Sequence, residues 1–299
     1  MKNNNGYKKL ILRIQAAVKA ARIPQSFSKK KNNVFSNEKH IVMDVLMRKE
    51  GKTYREMPDF LDLLKDEIGL RRTPHFTTMN KFALRVKPLI FEQLIAQIVK
   101  SIKTEEALLC GIDGTGFSLN NRSKYFCTIA GERKEFLQFN ACTENKHRLI
   151  VACKIRRKKR HETIDVPCLM RKSKQLNISH FIGDKAYDSE KNHELAEKYG
   201  AKFVSPMRRK TKQFCRMRGF RRKLLFRNFP SEIYNKRASI CETMNSAIKR
   251  KYGELIYAKT FRTQKNELLG KVLAYDFEKV INISRINDYF LHSCYRILM

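Results

Sequence analysis

Three acids far apart along the chain sit in surroundings that suit chemistry: Asp113 in GIDGTGF, Asp184 in IGDKAYDS and Glu242 in SEIYNKRASICETMNSAIKRK. Carboxylates gathered in a cleft cannot all stay ionised without a counter-charge. Divalent cations provide one, and an oxygen-only donor set favours Mg²⁺ or Mn²⁺ over zinc. Two such ions, about 3.5–4 Å apart, activate a water or a hydroxyl and stabilise the leaving oxygen during in-line attack on a phosphodiester. Phosphoryl transfer asks a protein chiefly for positioning and charge stabilisation, and Arg237 and Lys249 lie close to Glu242 in sequence. Taken singly, each acid has a plainer reading. Asp-Gly is a common turn, and a charged residue on an amphipathic helix is commonly just solvated.

The elements that must position these acids follow from pattern. Pro230 and Ser231 read as a helix start, and no Gly or Pro intervenes before Gly253. On a helical wheel Ile233, Ile240, Met244, Ala247 and Ile248 share one side, facing a core. Tyr234, Arg237, Glu242, Asn245 and Lys249 share an adjoining arc about 140° wide. Residues 107–112 (ALLCGI) and 178–183 (ISHFIG) are short apolar runs expected to be buried strands, each ending in its aspartate. Asp188 competes for the second position but falls at an expected helix start, where capping explains it. Further strands are expected over 125–129, 136–142, 148–154 and 202–204, with helices over 164–176 and 189–199. That alternation predicts a mixed sheet with helices against it. A helix over 265–283 is expected to pack on the sheet.

The first third reads as helical. Residues 1–36 form a basic arm, flexible or DNA-tracking, with no acid through residue 37. From 37 to 103 we expect an all-α domain: a helix capped by Asn37, a second over 54–64, a third opened by Thr73-Pro74 and a fourth by Pro88. Three short helices with tight turns resemble a helix-turn-helix unit. Its third helix would turn Thr77, Thr78, Asn80, Lys81 and Arg85 outward, residue types able to touch bases and phosphates. The rest, 104–290, would be the catalytic domain, carrying a basic insert over 205–230 that includes Arg208 and Arg209. Residues 208–227 hold ten Lys or Arg interleaved with aromatic and apolar residues, as expected of a segment lying along DNA.

Composition points the same way. With 63 Lys and Arg against 29 Asp and Glu, the 299-residue chain carries a formal net charge of +34. A polyanion is the simplest partner for such a charge, nucleic acid before an anionic membrane. With 42% hydrophobic residues the chain can bury a real core. No run reaches the roughly 18–20 apolar residues of a membrane span, and the N-terminus lacks a signal-peptide pattern. The eight cysteines show neither metal-site nor disulfide spacing, which fits reduced thiols in a cytoplasmic protein.

GIDGTGF, IGDKAYDS and Tyr234-x-x-Arg237 … Glu242-(x6)-Lys249 together resemble insertion-sequence transposases of the Asp-Asp-Glu type, over roughly residues 40 to 290. The last pattern is similar to the Tyr-Arg-Glu-Lys signature around the catalytic glutamate of that family. Four residues separate Arg237 from Glu242, where the signature usually has three, and Ala186 stands where Gly is frequent. The resemblance implies an RNase H-like catalytic domain in which Asp113, Asp184 and Glu242 bind two Mg²⁺ or Mn²⁺ ions. It implies that Tyr234, Arg237 and Lys249 hold DNA near the scissile phosphate, and that the N-terminal helices recognise terminal inverted repeats. Partners would be double-stranded terminal-repeat and target DNA and a second copy of the chain, with no membrane. Two other functions remain open on the sequence: a DNA-binding protein without catalysis, and a nuclease that cuts without joining.

Overall fold

The computed structural model describes residues 4–27, 34–101, 106–119, 123–131, 135–158, 160–207 and 219–297. The chain divides into two compact units. One comprises residues 1–98, 251–253 and 258–299; the other comprises 99–250 and 254–257.

The first unit is helical. It holds α1 (Asn4–Ala20), α2 (Asn37–Lys49), α3 (Met57–Asp62), α4 (Lys65–Ile68) and α5 (Phe76–Arg85). Helix α6 (Pro88–Ser101) leads out of it, and α13 (Phe261–Ile297) returns to it. Ser36, not Asn37, caps α2, its hydroxyl accepting from the Lys39 amide at 3.3 Å. Asn37 is instead the first helical residue, and its amide donates to the Pro24 carbonyl at 2.7 Å. Helix α1 is no free arm: Leu10, Ile11, Ile14 and Val18 form a helical stripe that is fully buried. The expectation of a helix over 265–283 packed on the sheet is also corrected, since the main neighbours of α13 are α2, α1 and α5.

In α5, Met79 and Phe82 face the core while Asn80, Lys81 and Arg85 are exposed. The outward face therefore carries the residues expected there, with Thr77 and Thr78 half-buried.

The second unit is built on β1 (Leu108–Ser118), β2 (Phe136–Glu144), β3 (Ile150–Arg156), β4 (Ile178–Gly183) and β5 (Lys202–Val204). Helices α7 (Lys124–Ile129), α8 (Val166–Ser173), α9 (Glu190–Lys198), α10 (Phe220–Arg227), α11 (Ser231–Arg237) and α12 (Thr243–Tyr252) accompany them. The strand order is β3-β2-β1-β4-β5. The pairs β1–β2 and β2–β3 are antiparallel, whereas β1–β4 and β4–β5 are parallel. This is the mixed, helix-flanked sheet that the alternation of strands and helices predicted. Its core joins Ile112, Phe181 and Phe203 of the sheet to Leu169 and Met170 of α8.

Two strand readings need correction. Residues 125–129 lie in helix α7, because the Ser123 hydroxyl accepts from the Phe126 amide at 3.0 Å and starts a helical turn. Strand β1 also runs five residues past Asp113, since β2 offers it an antiparallel partner as far as Ser118. What stops near Asp113 is only the parallel pairing with β4, whose last matched residues are Ile112 and Gly183.

Candidate active site

That register is the starting point of the site. Ile112 pairs with Gly183, so Asp113 and Asp184 leave the matched ends of two neighbouring parallel strands side by side. Adjacent strands lie about 4.8 Å apart, and the carboxyl end of parallel strands is where ligands of α/β sheets collect. Asp184 caps the 3₁₀ turn Lys185–Tyr187, its Oδ1 accepting from the Ala186 amide at 2.7 Å. Asp188 takes no part: its two oxygens receive the Arg222 guanidinium at 2.7 and 2.5 Å.

Asp113 is held in a largely buried setting. Its side chain is 17% exposed, and burial pushes its carboxyl up to about 6. Arg237 opposes that rise, while Glu162 and Asp184 reinforce it. Asn245 donates to Asp113 Oδ2 at 3.0 Å, and Arg237 Nη1 lies 3.9 Å from Oδ1.

Arg237 also holds Glu242, with Nη2 to Oε1 at 2.8 Å. Five positions separate the two, a poor match to the 3.6-residue turn of an α-helix. The backbone resolves the mismatch by winding Ala238–Glu242 as a π-helix, with α11 before it and α12 after. A π turn takes one extra residue into the helix, and such turns concentrate at functional sites. Ile240 and Cys241 of this turn pack on Ile182 of β4, which anchors it to the sheet.

Glu242 itself is 60% exposed in its side chain and reaches Asp113 only through Arg237. The expected arc on this helix is thus put to several uses. Asn245 serves Asp113. Lys249 sits 3.8 Å from Glu254 and over the Phe117 ring, and Tyr234 packs on Phe229. Lys81 and Arg85 belong to the helical unit, and Arg208 and Arg209 lie outside the described residues.

Two residues that sequence reasoning passed over stand beside the aspartates. Glu162 opens the 3₁₀ turn Glu162–Asp165 after β3, and Tyr187 donates to its Oε2 at 2.8 Å. Asn140, fully buried on β2, pairs across the ladder with Gly114. A Cβ at Gly114 would meet Asn140 Oδ1 at 2.5 Å and Glu162 Oε1 at 2.6 Å, so a larger residue would displace one of them. No local signal marks either residue, since RHETID reads as a polar turn and FNAC as strand.

The donor set around Asp113 is all oxygen and rich in carboxylate, which suits a hard divalent cation. The unpartnered, buried Oδ1 atoms of Asn140 and Asn245 fit the same chemistry. Among the described residues no three of the His, Cys, Asp and Glu side chains stand together as a coordination shell. Glu242 is turned onto Arg237 instead. Cys110, Cys127, Cys142, Cys153, Cys168 and Cys241 form no disulfide, and all but Cys168 are buried; none of the described helices is long and apolar enough to cross a membrane.

A family model described as "Transposase DDE domain" matches residues 107–277. No curated protein matches the sequence. Among solved structures, a piggyBac transposase in a synaptic complex with hairpin DNA is similar at 10% identity and a TM-score of 0.45, covering 96% of this chain and 77% of that one. The pre-cleavage Mos1 transpososome is similar at 7% identity and a TM-score of 0.26, covering 86% and 81%.

Proposed function

The chain belongs to the transposase DDE-domain family, and from that premise we propose that it cuts DNA at the ends of a mobile element and joins them to target DNA. The observation that carries this reading is the β1–β4 register, which leaves Asp113 and Asp184 abreast at one end of the sheet. Asp113, Asp184 and Glu242 are the residues that would hold two Mg²⁺ or Mn²⁺ ions. Such ions, when bound, supply the charge that activates a water or 3′-hydroxyl and stabilises the leaving oxygen.

The protein's own groups prepare that chemistry. Asn245 and Arg237 fix the Asp113 carboxylate from two directions. Arg237 lies between Asp113 and Glu242 and so provides positive charge where acids converge. Near the scissile phosphate Arg237, Tyr234 and Lys249 hold the backbone, with Asn245 beside them. Lys81 and Arg85 on the exposed face of α5, and Arg208 and Arg209 in the basic insert, grip DNA further out. The +34 charge makes that binding steeply salt-dependent. Acting on two ends at once implies a homodimer on DNA, and the reaction belongs to the cytoplasm at the nucleoid.

The test is an assay with element-end DNA and Mg²⁺ or Mn²⁺, run on the unaltered chain and on Asp113→Ala, Asp184→Ala and Glu242→Ala. Each variant should lose cleavage and strand transfer while still shifting DNA. Pre-cut ends should yield joined products with the unaltered chain. Cleavage retained by all three variants would overturn the reading. Cutting without joining would reduce it to a nuclease, and DNA binding with neither reaction would leave a DNA-binding protein.

A further inference from the structure

Glu162 and Asn140 stand together beside Gly114, and the catalytic reading above does not use them. Their oxygens, Glu162 Oε1 and Asn140 Oδ1, both lie within 2.6 Å of the point where a Cβ at Gly114 would sit. Both are acceptors, so they repel unless a donor or a cation lies between or beside them. Asn140 cannot escape by flipping its amide. Its Nδ2 donates to Asp165 Oδ2 at 2.6 Å, and Asp165 is itself clamped by Arg156 Nε at 2.9 Å from each oxygen. Asn140 Oδ1 is therefore held facing Gly114, fully buried and without a hydrogen-bond partner. Leaving a buried acceptor unpaired costs roughly 1–3 kcal/mol, and a cation relieves that cost.

The same pair is tied to both aspartates. Gly114 follows Asp113 on β1. Tyr187, which donates to Glu162 Oε2, also sends its backbone amide to the Asp184 carbonyl at 3.0 Å. Glu162 is thereby anchored between the segments that present Asp113 and Asp184.

We propose that Glu162 is a fourth carboxylate ligand of the Asp113–Asp184 metal site, with Asn140 Oδ1 as a neutral oxygen beside it. The inference rests on the metal-dependent reading above and adds to it a ligand from the turn after β3. A purely structural Glu162 needs only to accept from Tyr187, which a glutamine does equally well. A ligand needs the charge.

The experiment is Mn²⁺ titration of the full-length protein without DNA, followed by calorimetry or by the loss of the free-Mn²⁺ electron paramagnetic resonance signal. Glu162→Gln should weaken Mn²⁺ binding by about 10–100-fold while its metal-free melting temperature stays level or rises. Gly114→Ala, which pushes a methyl between the two oxygens, should weaken it comparably. Tyr187→Phe keeps the charge and should bind within about threefold of the unaltered chain. Asp113→Asn is the reference for the underlying reading. If Asp113→Asn loses Mn²⁺ and Glu162→Gln binds normally, this inference fails and the catalytic reading stands. If Tyr187→Phe loses as much as Glu162→Gln, Glu162 is structural and the inference fails. Should neither Asp113→Asn nor Glu162→Gln change Mn²⁺ binding, both readings fall.

Discussion

In the helical unit Asp44 and Glu267 are buried beside Arg48 and Lys271, two acids against two bases, whereas at the sheet end one cation, Arg237, serves both Asp113 and Glu242, with Glu162 and Asp184 also acting on Asp113. Arg48 lies 3.2 Å from Asp44 and 3.9 Å from Glu267, and Lys271 lies 3.9 Å from Glu267 and donates to the Gly253 carbonyl at 2.8 Å. The first cluster is balanced in charge, and it joins α2 to α13. The second has an excess of negative charge, which a fold tolerates only where a ligand will offset it. Burial alone does not separate them: it raises Asp44 as it raises Asp113, and it lowers Lys271 to about 8. The balance of partners does.

The comparison is broken most severely by activity. Asp113→Ala, Asp184→Ala and Glu242→Ala should each cut metal-dependent cleavage by about a thousandfold or more, because such groups act as one unit. Arg48→Met, by contrast, should leave activity per folded molecule unchanged. It should cost about 3–5 kcal/mol of stability in chemical denaturation, since two buried carboxylates lose their cation. If Arg48→Met is as stable as the unaltered chain, the balanced cluster is not structural.

The sign reverses at the sheet end. Asp113 binds its proton more tightly folded than unfolded, so its ionisation costs stability as pH rises from about 4 to about 6, and the full cost is present above that. Asp113→Asn should therefore stabilise the metal-free protein by up to about 3 kcal/mol at pH 8 and by nothing below pH 4. A variant that destabilises at pH 8 would show that Arg237 and Asn245 already satisfy the carboxylate. The same titration predicts that Mn²⁺ affinity is flat above about pH 6 and falls up to about tenfold for each pH step below it. An affinity unchanged from pH 7 to pH 5 would contradict that. The mildest change is Gly270→Ala, whose Cβ would sit 2.8 Å from Asp44 Oδ2. Thermal unfolding should show a loss of about 1–3 kcal/mol, without change in metal binding.

Much of this was legible in local pattern. The runs ISHFIG and KFV are strands β4 and β5 at the expected residues, because short apolar runs bounded by turn signals carry their own boundaries. The apolar side of the helix after Pro230 is buried at Ile240, Met244 and Ile248, as its periodicity required. Other features had no local trace. Nothing in residues 124–129 distinguishes a strand from the capped helix that Ser123 starts. No rule of spacing announces that an extra residue after Arg237 will be taken up by a π turn.

The sequence by itself determined most of the strands and helices, residues 124–129 excepted, together with the polyanion-seeking charge and the acids able to do chemistry, since these depend on residue type and on periods of two or 3.6. Only the tertiary structure decided which acids meet. One residue's slip in the β1–β4 register would turn Asp113 away from Asp184. Glu162 enters because a turn after β3 folds back over Gly114, and Asp188 leaves because Arg222 claims it. Those outcomes depend on distances between chain segments, and a one-dimensional pattern does not contain them.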